Sequence, residues 1–197
     1  MNREYGMLFK PEMIRAIIPG LKDMTRRLKG LKFINNQPRS WDIVSNKCFD
    51  KQFVFYNQEE GIYYKVKPPH GNVGDLIYIK ETWSYLDLIH EYPGYIYRVD
   101  DNLNVWEREH RDYIKIKWKS PLFMPKNAAR LWLQIIAVKL EKVQNITDAD
   151  AIREGVNSRD EFEKLWKKIN GLKSWNDNWW VWVYTFKIVD KCLDSQT

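Results

Sequence analysis

Several residue types that mark common protein classes are scarce in this chain of 197 residues. Only two cysteines occur, Cys48 and Cys192, and their wide separation fits neither a metal-binding nor a redox motif. The three histidines, His70, His90 and His110, have no cysteine or carboxylate partner at ligand spacing. The sequence therefore predicts neither a metal centre nor a cofactor.

Long apolar runs and glycine-rich phosphate loops are also missing. No apolar run approaches the roughly 18 residues that a membrane helix needs, and the first ten residues have no apolar signal core. We therefore expect a cytoplasmic protein without a membrane partner. A Walker loop, a dinucleotide-binding glycine motif and a nucleophile-elbow serine are absent too, which argues against the enzyme classes built on them.

Aromatic residues, in contrast, are abundant. They make up 15% of the chain, which has ten tryptophans, and 44% of all residues are hydrophobic. Such a composition excludes a disordered tail. The length is enough to bury a core without disulfides or metals, so we expect one domain over residues 1–197.

The formal net charge of +6 is unevenly distributed. Residues 1–47 carry ten basic and four acidic side chains, residues 48–109 six and eleven, and residues 110–142 eight and two. Two basic segments thus flank an acidic one. If the basic segments meet in space they form a positive face suited to a polyanion, and otherwise they are an ordinary lysine-rich surface.

The pattern of turn residues and apolar periodicity predicts mostly strands with a few short helices. Residues 20–27 are polar and have little reason to be core. We expect insertions at 33–66, with hairpins, and at 84–112, which is acidic. The predicted helices cover 11–18, 147–155 and 158–171, and the main predicted strands cover 76–83, 95–99, 130–143 and 179–186. This order favours an α+β domain around a curved sheet or a small β-barrel.

The segment from Gly20 to Arg27 (GLKDMTRR) is the strongest candidate for chemistry. Lys22 lies three residues before Thr25, so a turn can bring its amine to the threonine hydroxyl. If burial and Arg26 and Arg27 lower the lysine pKa, the neutral amine can act as a base and the hydroxyl can attack a carbonyl. Alternatively, these cations bind phosphates, or the turn is simply solvated.

The tryptophans offer a second kind of site, because a flat indole stacks well on an unpaired base. Trp166, Trp180 and Trp182 fall on apolar stripes, so we assign them to the core. Trp83, Trp175 and Trp179 lie near the ends of predicted elements. These three are the better candidates for a ligand-binding wall.

The order of several motifs resembles the ASCH family, in its longer phage and prophage forms. The segment 20–27 resembles the family's Gly-x-Lys-x-x-Thr signature. The later matches follow in the family's order and are Gly74-Asp75 before Glu81-Thr82-Trp83, Met124-Pro125 before Ala129-Arg130, the helix at 146–155, and the closing strand with Trp180 to Val183. Residues 33–66 and 84–112 fall outside the resemblance.

This resemblance implies a PUA-like fold, a small β-barrel (ASCH) with flanking short helices, whose cleft binds RNA or a nucleoside. Some bacterial members of the family are amidohydrolases that deacylate the exocyclic amine of cytidine. Their catalytic residues map onto Lys22, Thr25 and Glu154, although Glu154 also fits a solvated helix end. Our candidate ligand-binding residues are Lys22, Arg26, Arg27, Glu81, Trp83, Arg130, Trp175 and Trp179.

Three classes of function therefore remain open. The first is binding of a base or single-stranded RNA in a basic cleft, with or without hydrolysis of acylated cytidine. The second is a phage-encoded adaptor or assembly factor that binds a protein partner through its aromatic surface. The third is a ribonuclease, because another family member is one.

Overall fold

The computed structural model describes residues 2–49, 52–86, 94–100 and 116–190. Most of the acidic insertion and Cys192 lie outside the described residues. The strands are β1 (Glu4–Leu8), β2 (Met24–Arg27), β3 (Trp41–Phe49), β4 (Gln52–Asn57), β5 (Ile62–Val66), β6 (Leu76–Lys80), β7 (Trp83–Leu86), β8 (Gly94–Tyr97), β9 (Trp132–Lys142) and β10 (Trp180–Val189). The helices are α1 (Pro11–Ile17), α2 (Lys32–Asn36), α3 (Asp148–Arg153), α4 (Arg159–Asn170) and α5 (Leu172–Asn176). The predicted α+β class is confirmed.

The principal sheet has five strands in the order β1-β6-β9-β10-β2. Strands β1 and β6 are parallel, and the other three pairs are antiparallel. Strands β3, β4 and β5 form a separate antiparallel sheet, and β7 and β8 form a two-stranded one. The first and last strands of the principal sheet, β1 and β2, are therefore its edges.

Strand β10 lies inside the principal sheet and is buried on both faces. On one face Trp180, Trp182 and Phe186 belong to the larger hydrophobic core. On the other face Val181 and Val183 pack into a second core with residues of α4. The prediction that this strand is too apolar for an edge is confirmed, and its alternating side chains join the two cores.

The three-stranded sheet covers one face of β10. The Phe53 ring lies 5.0 Å from that of Trp182, and the Phe55 ring lies 5.1 Å from that of Trp180, both edge to face. The hairpins expected in residues 33–66 are confirmed. This segment is part of the main core, because Trp41, Phe53 and Phe55 are buried within it.

The helices that follow β9 begin at the predicted capping residues. The Thr147 hydroxyl accepts a hydrogen bond from the Asp150 amide, and the Ser158 hydroxyl accepts one from Glu161. Gly171 ends α4 with a positive φ of 85°. Among the described residues, no helix has the length and apolar character that crossing a bilayer requires.

Two expectations are corrected. The polar segment before Arg27 is core, since Met24–Arg27 forms strand β2 and its first three residues are buried. The apolar spacing of Phe162, Trp166 and Ile169 predicts one buried stripe on α4. Phe162 and Trp166 are buried as expected, but Ile169 is 41% exposed.

The principal sheet curves until its two edges face each other. The Arg27 Nη2 on β2 donates a 2.9 Å hydrogen bond to the Leu8 carbonyl on β1. Within the described residues no backbone ladder joins β1 to β2, so the sheet is open rather than a closed barrel. The gap between these edges contains the candidate site.

Candidate functional site

A cavity of about 360 Å³ lies between the two edge strands. Residues 6–8 of β1 form one side, and Thr25, Arg26 and Arg27 of β2 form the other. Helix α4 supplies an apolar wall, which comprises Phe162, Leu165, Trp166 and Ile169. The cavity therefore combines one apolar wall with a polar strand, as small-molecule sites commonly do.

Lys22 is buried behind this cavity, with 1% of its surface exposed. Its Nζ donates three hydrogen bonds of 2.7 Å, to the Met24 carbonyl, the Glu154 carbonyl and Glu154 Oε2. Burial lowers the pKa of Lys22, and the Glu154 carboxylate opposes that shift. Three acceptors match the three protons of an ammonium group, so the geometry holds the charged form.

Arg26 binds three carboxylates. Its Nη2 lies 2.5 Å from Glu141 Oε1 and 2.8 Å from Asp150 Oδ2, and its Nη1 lies 3.1 Å from Glu154 Oε1. Burial disfavours its charge, but Glu154 and Glu141 more than offset this and raise the pKa of Arg26. Glu154 thus accepts from both Lys22 and Arg26, and its own orientation is fixed.

Thr25 lines the same cavity, but its side chain lies on the face of β2 opposite to that of Arg26. It pairs in register with Tyr184, whereas Arg26 pairs with Val183 on the side of α4. In the described part of the chain no hydrogen bond joins Thr25 to Lys22 or Glu154. The structure therefore brings Lys22 and Glu154 into direct contact and places Thr25 beside them without one.

Arg27 and His70 form a further polar part of the cavity wall. Besides its bond to Leu8, the Arg27 guanidinium lies 4.8 Å from the centre of the Phe9 ring. The His70 amide donates to the Tyr184 hydroxyl at 3.2 Å. Burial, together with nearby Arg27 and Lys29, lowers the pKa of His70 to about 4, so the imidazole is neutral at physiological pH.

Glu81, Trp83 and Arg130 are gathered elsewhere and do not line the cavity. Arg130 Nε lies 3.0 Å from Glu81 Oε1, its Nη1 contacts Asp100, and the guanidinium stacks 4.0 Å from the Tyr97 ring. Trp83 is buried in a small cluster with Tyr97. Here Glu81 and Arg130 form an ion-pair network with Asp100, in which Glu81 is buried and Arg130 reaches the surface.

Trp175 and Trp179 do not line the cavity either. Trp175 is 5% exposed and packs 6.4 Å from the Phe162 ring, behind the apolar wall. Trp166, which we assigned to the core, does reach the cavity. His70 was not among the predicted site residues, and its only sequence signal was its position in the turn-rich segment that precedes β6.

Comparison of the chain with models of protein families, with curated proteins and with solved structures gave no match. The resemblance to the ASCH family therefore remains a prediction from the order of the motifs.

Proposed function

We propose that the cavity between β1 and β2 binds a nucleobase or nucleoside, and that the chain is an ASCH-type protein with a PUA-like sheet opened at this point. The observation that carries the proposal is the Glu154 carboxylate. It lines a cavity with an apolar wall, and Lys22 and Arg26 fix it there.

A base suits these surroundings because it is flat and apolar on its faces but polar at its edge. The wall formed by Leu165 and Trp166 offers contact to a face. The oriented carboxylate of Glu154 accepts hydrogen bonds from amino or ring N–H groups at an edge. The cavity volume of about 360 Å³ lies in the range of small-ligand sites.

The charge balance favours a small ligand over an RNA strand. Lys22 and Arg26, expected to contact phosphates, are buried and engaged by acidic side chains. Nucleic-acid affinity depends on several cations that remain free to neutralise phosphates. The segment 20–27 thus orients the Glu154 carboxylate through Lys22 and Arg26 and does not form a continuous basic surface.

The proposal is tested by calorimetric titration of the four common nucleosides into the protein. Ile169→Trp should fill the cavity mouth and weaken binding by about tenfold or more, roughly 1.4 kcal/mol. Leu172→Trp, at a position 59% exposed and outside the cavity lining, is the matched control. Neither position is buried, so both variants should fold.

Equal affinities in the two variants would place the ligand elsewhere. If no nucleoside binds while short single-stranded RNA does, with a steep loss of affinity on adding salt, the ligand is a strand instead. If neither binds, the result favours the alternative function of an adaptor that binds a protein partner.

Hydrolysis of acylated cytidine is a second candidate, favoured by the 2.7 Å contact of Lys22 with Glu154 beside Thr25. The Thr25 hydroxyl would give its proton to neutral Lys22 while its oxygen bonds to the acyl carbon. The bond from that carbon to the exocyclic nitrogen would then break, and the leaving amine would take up a proton from the Lys22 ammonium group. Water would then release the acyl group from Thr25. To serve as the base, Lys22 must first lose a proton, and one of its three hydrogen bonds must break.

Release of free cytidine from acylated cytidine tests this candidate. Thr25→Val should abolish turnover while the acylated nucleoside still binds. Turnover that persists in Thr25→Val excludes the threonine as nucleophile.

A further inference from the structure

Arg27 differs from Lys22 and Arg26 because no carboxylate among the described residues forms an ion pair with it. Among the described residues its hydrogen-bond partner is the Leu8 carbonyl, which Nη2 contacts at 2.9 Å. Its Nε is buried and has no hydrogen-bond partner in that part of the chain. Arg26, the preceding residue, binds three carboxylates.

The surroundings of Arg27 are cationic or neutral on the side of His70. Lys29 follows two positions later, is exposed, and lines the same cavity. Arg27 and Lys29 line the cavity together with His70, and their charges help to lower the pKa of His70. This end of the cavity therefore has two cations and a neutral imidazole.

A cation held in a partly desolvated wall without a counter-charge is unfavourable. Burial lowers the pKa of Arg27, and the opposing effect of Glu154 does not offset it. Glu154 already accepts from Lys22 and Arg26, so it offers Arg27 only a more distant charge. An anion in the cavity would supply the missing partner, and a guanidinium matches a phosphate in shape and hydrogen bonding.

We propose that Arg27, with Lys29 and His70 beside it, binds the phosphate of a nucleoside monophosphate whose base faces Glu154. The inference rests on the proposed function for the base and adds the anionic group. The cavity then prefers a monophosphate over the nucleoside. One guanidinium without a carboxylate partner among the described residues, together with one lysine, suits a single phosphate.

The experiment compares four probes by calorimetric titration: the nucleosides, their 5′-monophosphates, ribose 5-phosphate and inorganic phosphate. In the wild-type protein the best-bound base should bind about tenfold or more tightly as its monophosphate. Inorganic phosphate should compete with the monophosphate but not with the nucleoside. This competition needs no variant, so it holds even if a substitution harms folding.

The variants Arg27→Gln and Lys32→Gln then distinguish an effect of this site from an effect of the net charge of the protein. Lys32 is exposed on α2 and does not line the cavity, so the two variants change net charge equally. The ratio of monophosphate to nucleoside affinity should fall to about one in Arg27→Gln and remain unchanged in Lys32→Gln. Arg27→Lys should retain part of the preference.

Equal affinities for nucleoside and monophosphate in the wild-type protein would overturn the inference and leave the base site intact. A preference that survives in Arg27→Gln would overturn the role of Arg27. Binding of ribose 5-phosphate or inorganic phosphate without any nucleoside binding would support the anion site at Arg27 and refute the proposed base site. Absence of binding by all four probes would refute both.

Discussion

Lys22 Nζ lies 2.7 Å from Glu154 Oε2, although the two residues are 132 positions apart in the chain. The same ammonium group donates to the Glu154 carbonyl, so it binds both the side chain and the backbone at the end of α3. Because Lys22 leads into β2, this contact joins the edge strand to the helix. The pair therefore sets the position of one side of the cavity.

Removing the carboxylate should be more harmful than removing the lysine. Glu154→Gln leaves the buried Lys22 and Arg26 short of charge compensation, at a cost of about 3–5 kcal/mol, the range for a broken buried ion pair. Lys22→Met should cost less, because Glu154 still binds Arg26. Denaturant unfolding of the two single variants and of the double variant measures the coupling energy. Additive effects would contradict a direct interaction between the two residues.

A side chain at Gly155 should destabilise the protein. Its φ is +86°, and an added Cβ would lie 3.2 Å from the Ala16 Cβ and 3.4 Å from the Lys22 Cβ. Gly155→Ala should therefore cost about 1–3 kcal/mol in the free energy of unfolding. Gly20→Ala is the control, since its φ is +79° and nothing lies within 4 Å of the added atom. Equal losses in the two variants would mean that backbone conformation alone, without the contact to Lys22, explains the effect.

The neutral His70 should make the protein sensitive to acid. Burial lowers its pKa from 6.5 to about 4, so the unfolded chain binds the proton more readily between these values. Stability therefore falls as the pH drops from 6.5 to 4, by up to about 3 kcal/mol from this residue. His70→Gln should show a shallower dependence of the unfolding free energy on pH over that range. Identical slopes for the two proteins would refute the assignment.

Arg130 should be required mainly to compensate Glu81. Burial raises the pKa of Glu81, and the Arg130 hydrogen bonds oppose the rise. Arg130→Met leaves a buried carboxylate unpaired, so we expect a loss of about 3–5 kcal/mol at pH 7. The loss should shrink toward pH 5, since protonation neutralises Glu81. Thermal melts at both pH values test this, with Arg130→Met/Glu81→Gln as the control that should be less damaged at pH 7.

Local signals predicted much of the secondary structure. The capping residues Thr147 and Ser158 fix where α3 and α4 begin, and each acts within three residues of itself. The run of apolar residues in β10 indicated an interior strand, because such a run has no solvent-exposed face. These features depend on neighbours in sequence, so the sequence alone reveals them.

Strand β2 escaped prediction because its polar side chains are satisfied by distant partners. Arg26 binds Glu141, Asp150 and Glu154, which lie 115, 124 and 128 positions away. No local pattern distinguishes such a segment from a solvated basic turn. The meeting of Lys22 and Glu154 was implied by family resemblance alone. The cavity wall from α4 depended on how that helix packs across the sheet edge, which periodicity does not specify.

In the part of the chain that the structure describes, a side chain spans the gap between β1 and β2, and no ladder of backbone hydrogen bonds does. At the opening of the cavity the two strands are therefore joined by a side-chain hydrogen bond, which can break without disrupting a backbone ladder. A ligand that accepts a hydrogen bond from Arg27 Nη2 competes with the Leu8 carbonyl for that donor. A ligand that takes Nη2 would thus break a contact between the two edge strands, which a single hydrogen bond stabilises by about 0.5–1.5 kcal/mol.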